Sequence, residues 1–366
     1  MKYKKYLTEK NDDEYDYLKL DYSEQLLLKQ KFINNLFRGF YVEDIIGMEE
    51  PKHYRHKIYA TFGKNNKSQT ILGMYKPHTH HLINSDDSII QHELGNKILT
   101  SILEIVRKLH IEPYNEDLRM GILRHVYLRI SYSTGRVMLV LVIAQKELPG
   151  SKKLIKLLLE KHPEIETIIL NYNNRKTSVV LGEKEKVIYG RGYIIDELFG
   201  IKFKISSKSF YQVNPLQTIK LYAKAMELAQ LKKDDCVLDA CCGIGTITLV
   251  VAKSCKYAVG VEVVKQAIED ANNNAKINNI DNVSFYCADI KDFMQHNRYK
   301  FDVVLLDPPR MGLNENFLFS LIMAKPKKIV YISCNPITQK RDIKILMAKG
   351  YEINEIVPID LFPYTE

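Results

Sequence analysis

Cys334 stands in the string Ser333-Cys334-Asn335-Pro336, directly after the apolar run Ile329-Val330-Tyr331-Ile332. Asn335 suits the cap of a helix and Pro336 its first turn. The thiol would then lie between a strand end and a helix N-terminus, whose partial positive charge favours thiolate over thiol. Such a thiolate is a candidate nucleophile. The ordinary reading of any single cysteine is an inert, buried side chain. Among the six cysteines, however, Cys334 alone joins a strand end, a helix start and a place opposite a second string, Asp307-Pro308-Pro309-Arg310. That string closes the run Val303-Val304-Leu305-Leu306, and its prolines end the strand and stiffen the loop. Asp307 is held there to face a base edge or a cofactor; a strand-ending turn with an incidental Asp is the alternative.

A third string, Val237-Leu238-Asp239-Ala240-Cys241-Cys242-Gly243-Ile244-Gly245-Thr246, reads as a strand, a glycine turn and a helix start. Gly243 and Gly245 let backbone approach a ligand with no Cβ in the way. A lone G-x-G is a weak signal, because ordinary strand-to-helix turns use the same residues. Two later strand ends strengthen it. Glu262 ends Val259-Gly260-Val261-Glu262, where a carboxylate can accept both hydroxyls of a ribose. Asp289 follows Cys287-Ala288, where it could contact an adenine amino group. Three successive strands ending in suitable groups point to an adenosine-bearing ligand. A nicotinamide enzyme would carry a fuller G-x-G-x-x-G; the third position here is Thr248, which favours a methyltransferase. A fourth string, Ser209-Phe210-Tyr211-Gln212-Val213-Asn214-Pro215, sets aromatics beside amides able to stack on and hydrogen-bond a splayed nucleotide. Alone it would read as a packed domain junction.

These strings need elements to position them. A helical pattern from Pro215 to Leu231 leads into a strand at 236–240. Further strands are predicted at Ala258–Glu262, Val283–Cys287, Val303–Leu306, Ile329–Ser333 and Glu352–Pro358, with a helix carrying Ala267, Ala271 and Ala275. Strand–helix alternation means a doubly wound parallel sheet, in which ligands sit outside the carboxyl ends of the strands. The first 200 residues read differently. Helices are predicted over Ser23–Phe37, Gln91–Leu109 and Ser151–His162. Strands are predicted at Arg55–Phe62, at a hairpin of Val126–Tyr132 and Val137–Ile143, and at Thr167–Asn171, Thr177–Leu181 and Tyr193–Leu198. The expected organisation is a mixed α+β domain over 1–200 and an α/β domain over 201–366.

Length agrees, since 366 residues exceed one ordinary core. No apolar run approaches the ~20 residues of a membrane span and no signal core opens the chain, so we expect a cytoplasmic protein without membrane contact. The cysteines match neither a disulfide framework nor a zinc site. A net charge of +9 permits a polyanionic partner without demanding one. We expect a monomer.

Taken together, Tyr54-Arg55-His56-Lys57, Leu123-Arg124-His125 and the four strings resemble the RNA uracil-C5 methyltransferases, which make 5-methyluridine in tRNA and large-subunit rRNA. The pairing of D-P-P-R with S-C-N-P is the most specific part. RNA cytosine-C5 enzymes instead carry a cysteine just after the paired prolines, where this chain has Arg310. The resemblance implies a Rossmann-like class I methyltransferase domain preceded by an RNA-recognition domain. It implies S-adenosyl-L-methionine as cofactor and structured RNA as partner, rRNA ahead of tRNA. By the same resemblance Gln212, Glu262, Asp289 and Asp307 bind cofactor or target base, and backbone from Cys241 through Gly243 to Gly245 lines the cofactor pocket. Cys334 is then the nucleophile with Asp307 catalytic beside it, and Phe210 and Gln212 meet an extruded nucleotide.

The chemistry accounts for these residue types. Carbon 5 of uracil attacks a sulfonium too weakly unaided. Thiolate addition at carbon 6 makes carbon 5 an enolate carbon that takes the methyl group; a base then removes the carbon-5 proton and the cysteine leaves. With both ring faces engaged, the nucleotide must leave its stack. Three departures from the family matter. The first cysteine is Cys236 and Ser88 stands near the place of one cluster ligand, so the four-iron cluster of many relatives is expected to be absent. The small RNA-binding barrel that often opens relatives is expected to be absent, since too few residues precede Ser23. The family's general base is a Glu in a His-x-Glu string shortly after F-P-x-T, whereas Phe362-Pro363-Tyr364-Thr365-Glu366 stops short of it. The base is therefore expected beyond Glu366, and the chain to be a truncated form with weak or no activity. Two rivals stay open: an amino-group methyltransferase that needs no thiol, and an RNA-binding or assembly protein that kept the fold and lost catalysis.

Overall fold

The structure, a computed structural model, describes residues 17–75, 82–84, 88–176, 179–296 and 299–365. Glu366 and the first two residues of the expected strand Thr177–Leu181 lie outside the described residues. The chain divides into two compact units, the first comprising 52–198 with 203–208 and the second 1–51, 199–202 and 209–366. Helix α1 (Tyr22–Leu36) thus belongs with the C-terminal half, whereas a boundary at residue 200 leaves it with the N-terminal half. The reason is long-range packing: Phe32, Leu36 and Phe37 bury against Ile337, Ile343 and Ile356, and Lys29 pairs with Asp360 at 2.8 Å.

The first unit runs β1 (Lys57–Lys64), β2 (Thr70–Tyr75), β3 (Leu82–Asn84), α2 (Glu93–Lys108), β4 (Leu123–Ile130), β5 (Val137–Ile143), α3 (Ser151–Lys161), β6 (Ile165–Tyr172), β7 (Lys184–Tyr189), β8 (Tyr193–Leu198) and, from Phe203 on, β9 (Ile201–Ser206). Seven of its strands form one sheet in the order β3-β2-β1-β4-β5-β6-β7. All pairs are antiparallel except β5–β6, where α3 makes the crossover. Ile98, Ile102 and Val106 of α2, at helical spacing, join Leu154 and Leu158 of α3 over Ile58, Leu128 and Leu139. The predicted hairpin is β4–β5, and Asp196 of β8 fixes its turn by accepting from Ser131 Oγ at 3.1 Å, Tyr132 N at 3.1 Å and Ser133 N at 2.9 Å. The strand expected at Thr177–Leu181 is displaced to β7. Residues 179–182 instead fold back onto two asparagines, with Asn173 Nδ2 donating to Val179 O at 2.8 Å and Gly182 N donating to Asn171 Oδ1 at 2.6 Å. Side-chain amides there take backbone groups that a ladder would use.

The second unit continues with α4 (Pro215–Ala229), β10 (Cys236–Asp239), α5 (Thr246–Ala252), β11 (Tyr257–Glu262), α6 (Lys265–Ile277), β12 (Val283–Cys287), α7 (Ile290–His296), β13 (Val303–Leu306), α8 (Glu315–Ala324), β14 (Lys328–Tyr331) and α9 (Pro336–Met347). Its strands are all parallel, in the order β12-β11-β10-β13-β14. Phe293, Phe317, Leu321 and Leu346 from the helices of one face bury against Leu238, Val259 and Val304. The predicted helix carrying Ala267, Ala271 and Ala275 is α6, and all three are buried. Strand order reverses between β10 and β13, and that switch point opens the ligand crevice of such sheets. The sixth strand expected at Glu352–Pro358 does not form. Ile356 and Ile359 instead bridge to Val42 and Ile46, with Glu43 N donating to Ile356 O and Ile46 N to Pro358 O, each at 2.9 Å. The N-terminal segment takes the backbone groups that a sheet neighbour would have used. No helix among the described residues is long and apolar enough to cross a membrane.

Candidate active site

The glycine turn after β10 is built on two left-handed residues, Gly243 at φ +54° and Gly245 at φ +81°. Their reasons differ. A Cβ on Gly245 would meet Phe285 Cζ at 2.9 Å, so that glycine lets the turn pack on β12. A Cβ on Gly243 would meet nothing within 4 Å, so that side of the turn is an open cradle. Glu262, at the end of β11, braces the turn by accepting from Gly243 N at 3.3 Å and Val264 N at 3.0 Å. Each carboxylate oxygen still has a lone pair for a ribose hydroxyl. Asp289 follows β12 and accepts from Lys291 N at 2.8 Å, which opens α7 and fixes the carboxylate at the sheet edge.

At the switch point the carboxylates converge. Burial, followed by Asp239, Glu262, Asp307 and Asp289, pushes the Cys241 thiol up to about 12, so that this cysteine stays protonated and lends the site its backbone. Asp307 is pushed up to about 7 by burial and then by Asp239, so proton-bearing and ionised forms coexist near neutrality. Asp239 itself is buried and raised to about 6, first by desolvation, with the hydrogen bond from Thr248 acting the other way. Four carboxylates around an open glycine cradle suit a ligand that carries a sugar, an adenine and a positive charge, and S-adenosylmethionine has all three. Sequence reasoning missed Tyr222. It is buried on α4, and its hydroxyl is hydrogen-bonded by Gln212 and raised by burial and the nearby Asp307 and Asp239. Helical periodicity marks such a position only as core.

The loop before α4 is anchored at both ends. Ser209 Oγ donates to Asp270 Oδ2 of α6 at 2.7 Å, and Asn214 caps α4 by accepting from Gln217 N at 3.2 Å. Between them Tyr211 is buried, Gln212 is half-buried and Phe210 is 62% exposed.

Cys334 is exposed at the start of α9. As predicted, Asn335 caps that helix, accepting from Ile337 N at 3.2 Å, with Pro336 in its first turn. The asparagine also reaches sideways, and its Nδ2 donates to the carbonyl of Arg310 at 3.0 Å. The loop of Cys334 is thereby hydrogen-bonded to the loop of Asp307. Among the described residues, no group of three or more His, Cys, Asp or Glu is arranged to hold a metal ion.

Comparison with known proteins agrees with this geometry. The model of the tRNA (uracil-5-)-methyltransferase family matches residues 21–366. An uncharacterized RNA methyltransferase of Oceanobacillus iheyensis is 40% identical over 356 residues, covering 94% of this chain and 77% of the relative. One from Staphylococcus aureus is 39% identical over 355 residues, covering 94% and 78%. Among solved structures, the Pyrococcus abyssi tRNA (uracil-54, C5)-methyltransferase, in complex with S-adenosyl-L-homocysteine, superposes with a TM-score of 0.81 at 27% identity, covering 95% of this chain and 82% of that one. The Rossmann-like methyltransferase fold preceded by a mixed α+β region is therefore shared.

Proposed function

Because the chain belongs to the tRNA (uracil-5-)-methyltransferase family, we propose that it methylates carbon 5 of a uridine in structured RNA through a covalent bond between Cys334 and carbon 6. The family activity is RNA uracil-5 methylation with S-adenosylmethionine as cofactor. When bound, that cofactor would supply the methyl group. Glu262 would hold its ribose hydroxyls, Asp289 its adenine amino group, and backbone from Cys241 through Gly243 to Gly245 its remaining edge.

Addition to the ring and recognition of the base fall to side chains of this chain. As thiolate, Cys334 adds its electron pair to carbon 6, and the displaced π electrons make carbon 5 an enolate carbon. After methylation, loss of the carbon-5 proton to a base restores the double bond and expels the thiolate. Asp307, poised near neutrality, meets the polar edge of the base or the cofactor. Phe210 stacks on the extruded nucleotide and Gln212 hydrogen-bonds it. The single observation that carries this reading is an exposed thiol at a helix start, in a loop that Asn335 hydrogen-bonds to the loop of the half-buried Asp307.

The motif resemblance puts rRNA ahead of tRNA, while the matching family model and the superposed enzyme are both named for tRNA, so both RNAs are to be examined. The test is to map 5-methyluridine in the rRNA and tRNA of a deletion strain. One site should lose its methyl group and regain it when the chain is restored. Full methylation at every site in both RNAs would overturn the proposal.

A further inference from the structure

Helix α9 presents Thr338, Arg341 and Asp342 at the i, i+3 and i+4 spacing that shares one helix face. That face grips the backbone of residues 310–313, just beyond Asp307. Thr338 Oγ1 shares its proton between the Asn335 carbonyl of its own helix at 3.0 Å and the Arg310 carbonyl at 3.2 Å, beside the bond from Asn335. Arg341 Nη2 donates to the carbonyls of Met311 and Leu313 at 3.1 and 3.0 Å. Asp342 is fully buried, accepts from Leu313 N at 2.8 Å and from the Tyr331 hydroxyl at 2.7 Å, and pairs with Arg341. Gly312 stands at φ +74°, and a Cβ there would meet Asp342 Oδ2 at 2.6 Å and Arg341 Nη2 at 2.8 Å, so these side chains occupy the place that a larger residue would need. Tyr331 ends β14, the strand that leads into Cys334.

We infer that Thr338, Arg341 and Asp342 are positioning residues that set the spacing between Cys334 and Asp307. The inference rests on reading Cys334 as the nucleophile. Packing a loop on a helix needs only apolar side chains, and a buried carboxylate is a costly way to do it. What the polar face adds is direction, since each bond fixes one named backbone atom of the loop. The same helix carries Cys334 at its start, so one rigid element holds both loops. The reaction has that need, because thiol and carboxyl must reach one uracil at once, and a misplacement of about 1 Å can cost on the order of 100-fold in rate.

The test uses the full chain with Thr338→Val and Asp342→Asn, both close in shape to the parent residues. Three quantities are measured: the rate of covalent adduct formation with RNA carrying 5-fluorouridine at the target, the affinity for S-adenosylhomocysteine, and the melting temperature. Adduct formation should slow by roughly 10-fold in Thr338→Val and roughly 100-fold in Asp342→Asn, with S-adenosylhomocysteine affinity within about twofold of the parent. Parent-like adduct rates in both variants would overturn the inference. So would a parallel loss of cofactor affinity and adduct rate, which marks a merely structural role. Failure of the parent chain to form any adduct would remove the nucleophile reading, and this inference with it.

Discussion

The hydroxyl of Thr248 donates to the carboxylate of Asp239 at 2.7 Å, nine residues apart and both buried. Thr248 occupies the position where a dinucleotide-binding turn would carry its third glycine. Here that position has another task. It supplies one of the hydrogen bonds that a carboxylate shut away from water requires.

That burial has a pH signature. Asp239 is raised from its usual 3.8 to about 6, so between those values the unfolded chain releases a proton that the folded chain keeps. Stability therefore falls as pH rises through this window, by ~3 kcal/mol once the group is ionised in both states. Asp239→Asn keeps the shape and can still accept from Thr248, but carries no charge. Its denaturation midpoint should rise relative to the parent as pH goes from 4 to 7. A difference that stays flat across that range would contradict the assignment.

The two glycines of the turn should separate into different defects. Gly245→Ala drives a Cβ against Phe285 and adds left-handed strain, so it should lower the melting temperature, by ~2–4 kcal/mol in stability terms. Gly243→Ala meets no atom and carries only the strain, ~1–2 kcal/mol. Its larger effect should be a 10-fold or greater loss of affinity for S-adenosylhomocysteine, on the order of 1.4 kcal/mol. Calorimetric titration and thermal melts of both variants check this; the reverse pattern would move the cofactor off the turn.

Phe210 is exposed, so truncating it removes little buried area. Phe210→Ala should melt with the parent yet raise KM for RNA by roughly 10-fold, the loss expected of one stacked base. A drop in melting temperature with unchanged KM would make the residue structural.

Much of the second unit was legible because its signals are local. Each β–α alternation is visible within some 30 residues, and Glu262, Asp289, Asp307 and Cys334 all fall at or just past the strand ends where they were expected. What could not be read depends on distant partners. Nothing near Ile356 announces that it will bridge to Val42 rather than extend the sheet. Arg341 and Asp342 look like solvated helix charges until the loop beside Gly312 is laid against them. Residues 179–181 have a strand's composition, but the asparagines that capture that stretch are on β6 and just after it.

The most direct test of the central claim is a denaturing gel of the chain incubated with cofactor and RNA carrying 5-fluorouridine at the target position. Fluorine at carbon 5 cannot leave as a proton, so the bond from Cys334 to carbon 6 should persist. A slow-migrating protein–RNA band in the parent and none in Cys334→Ala is the expected result. An active preparation that yields no such band, or a Cys334→Ala variant that still does, would contradict the account.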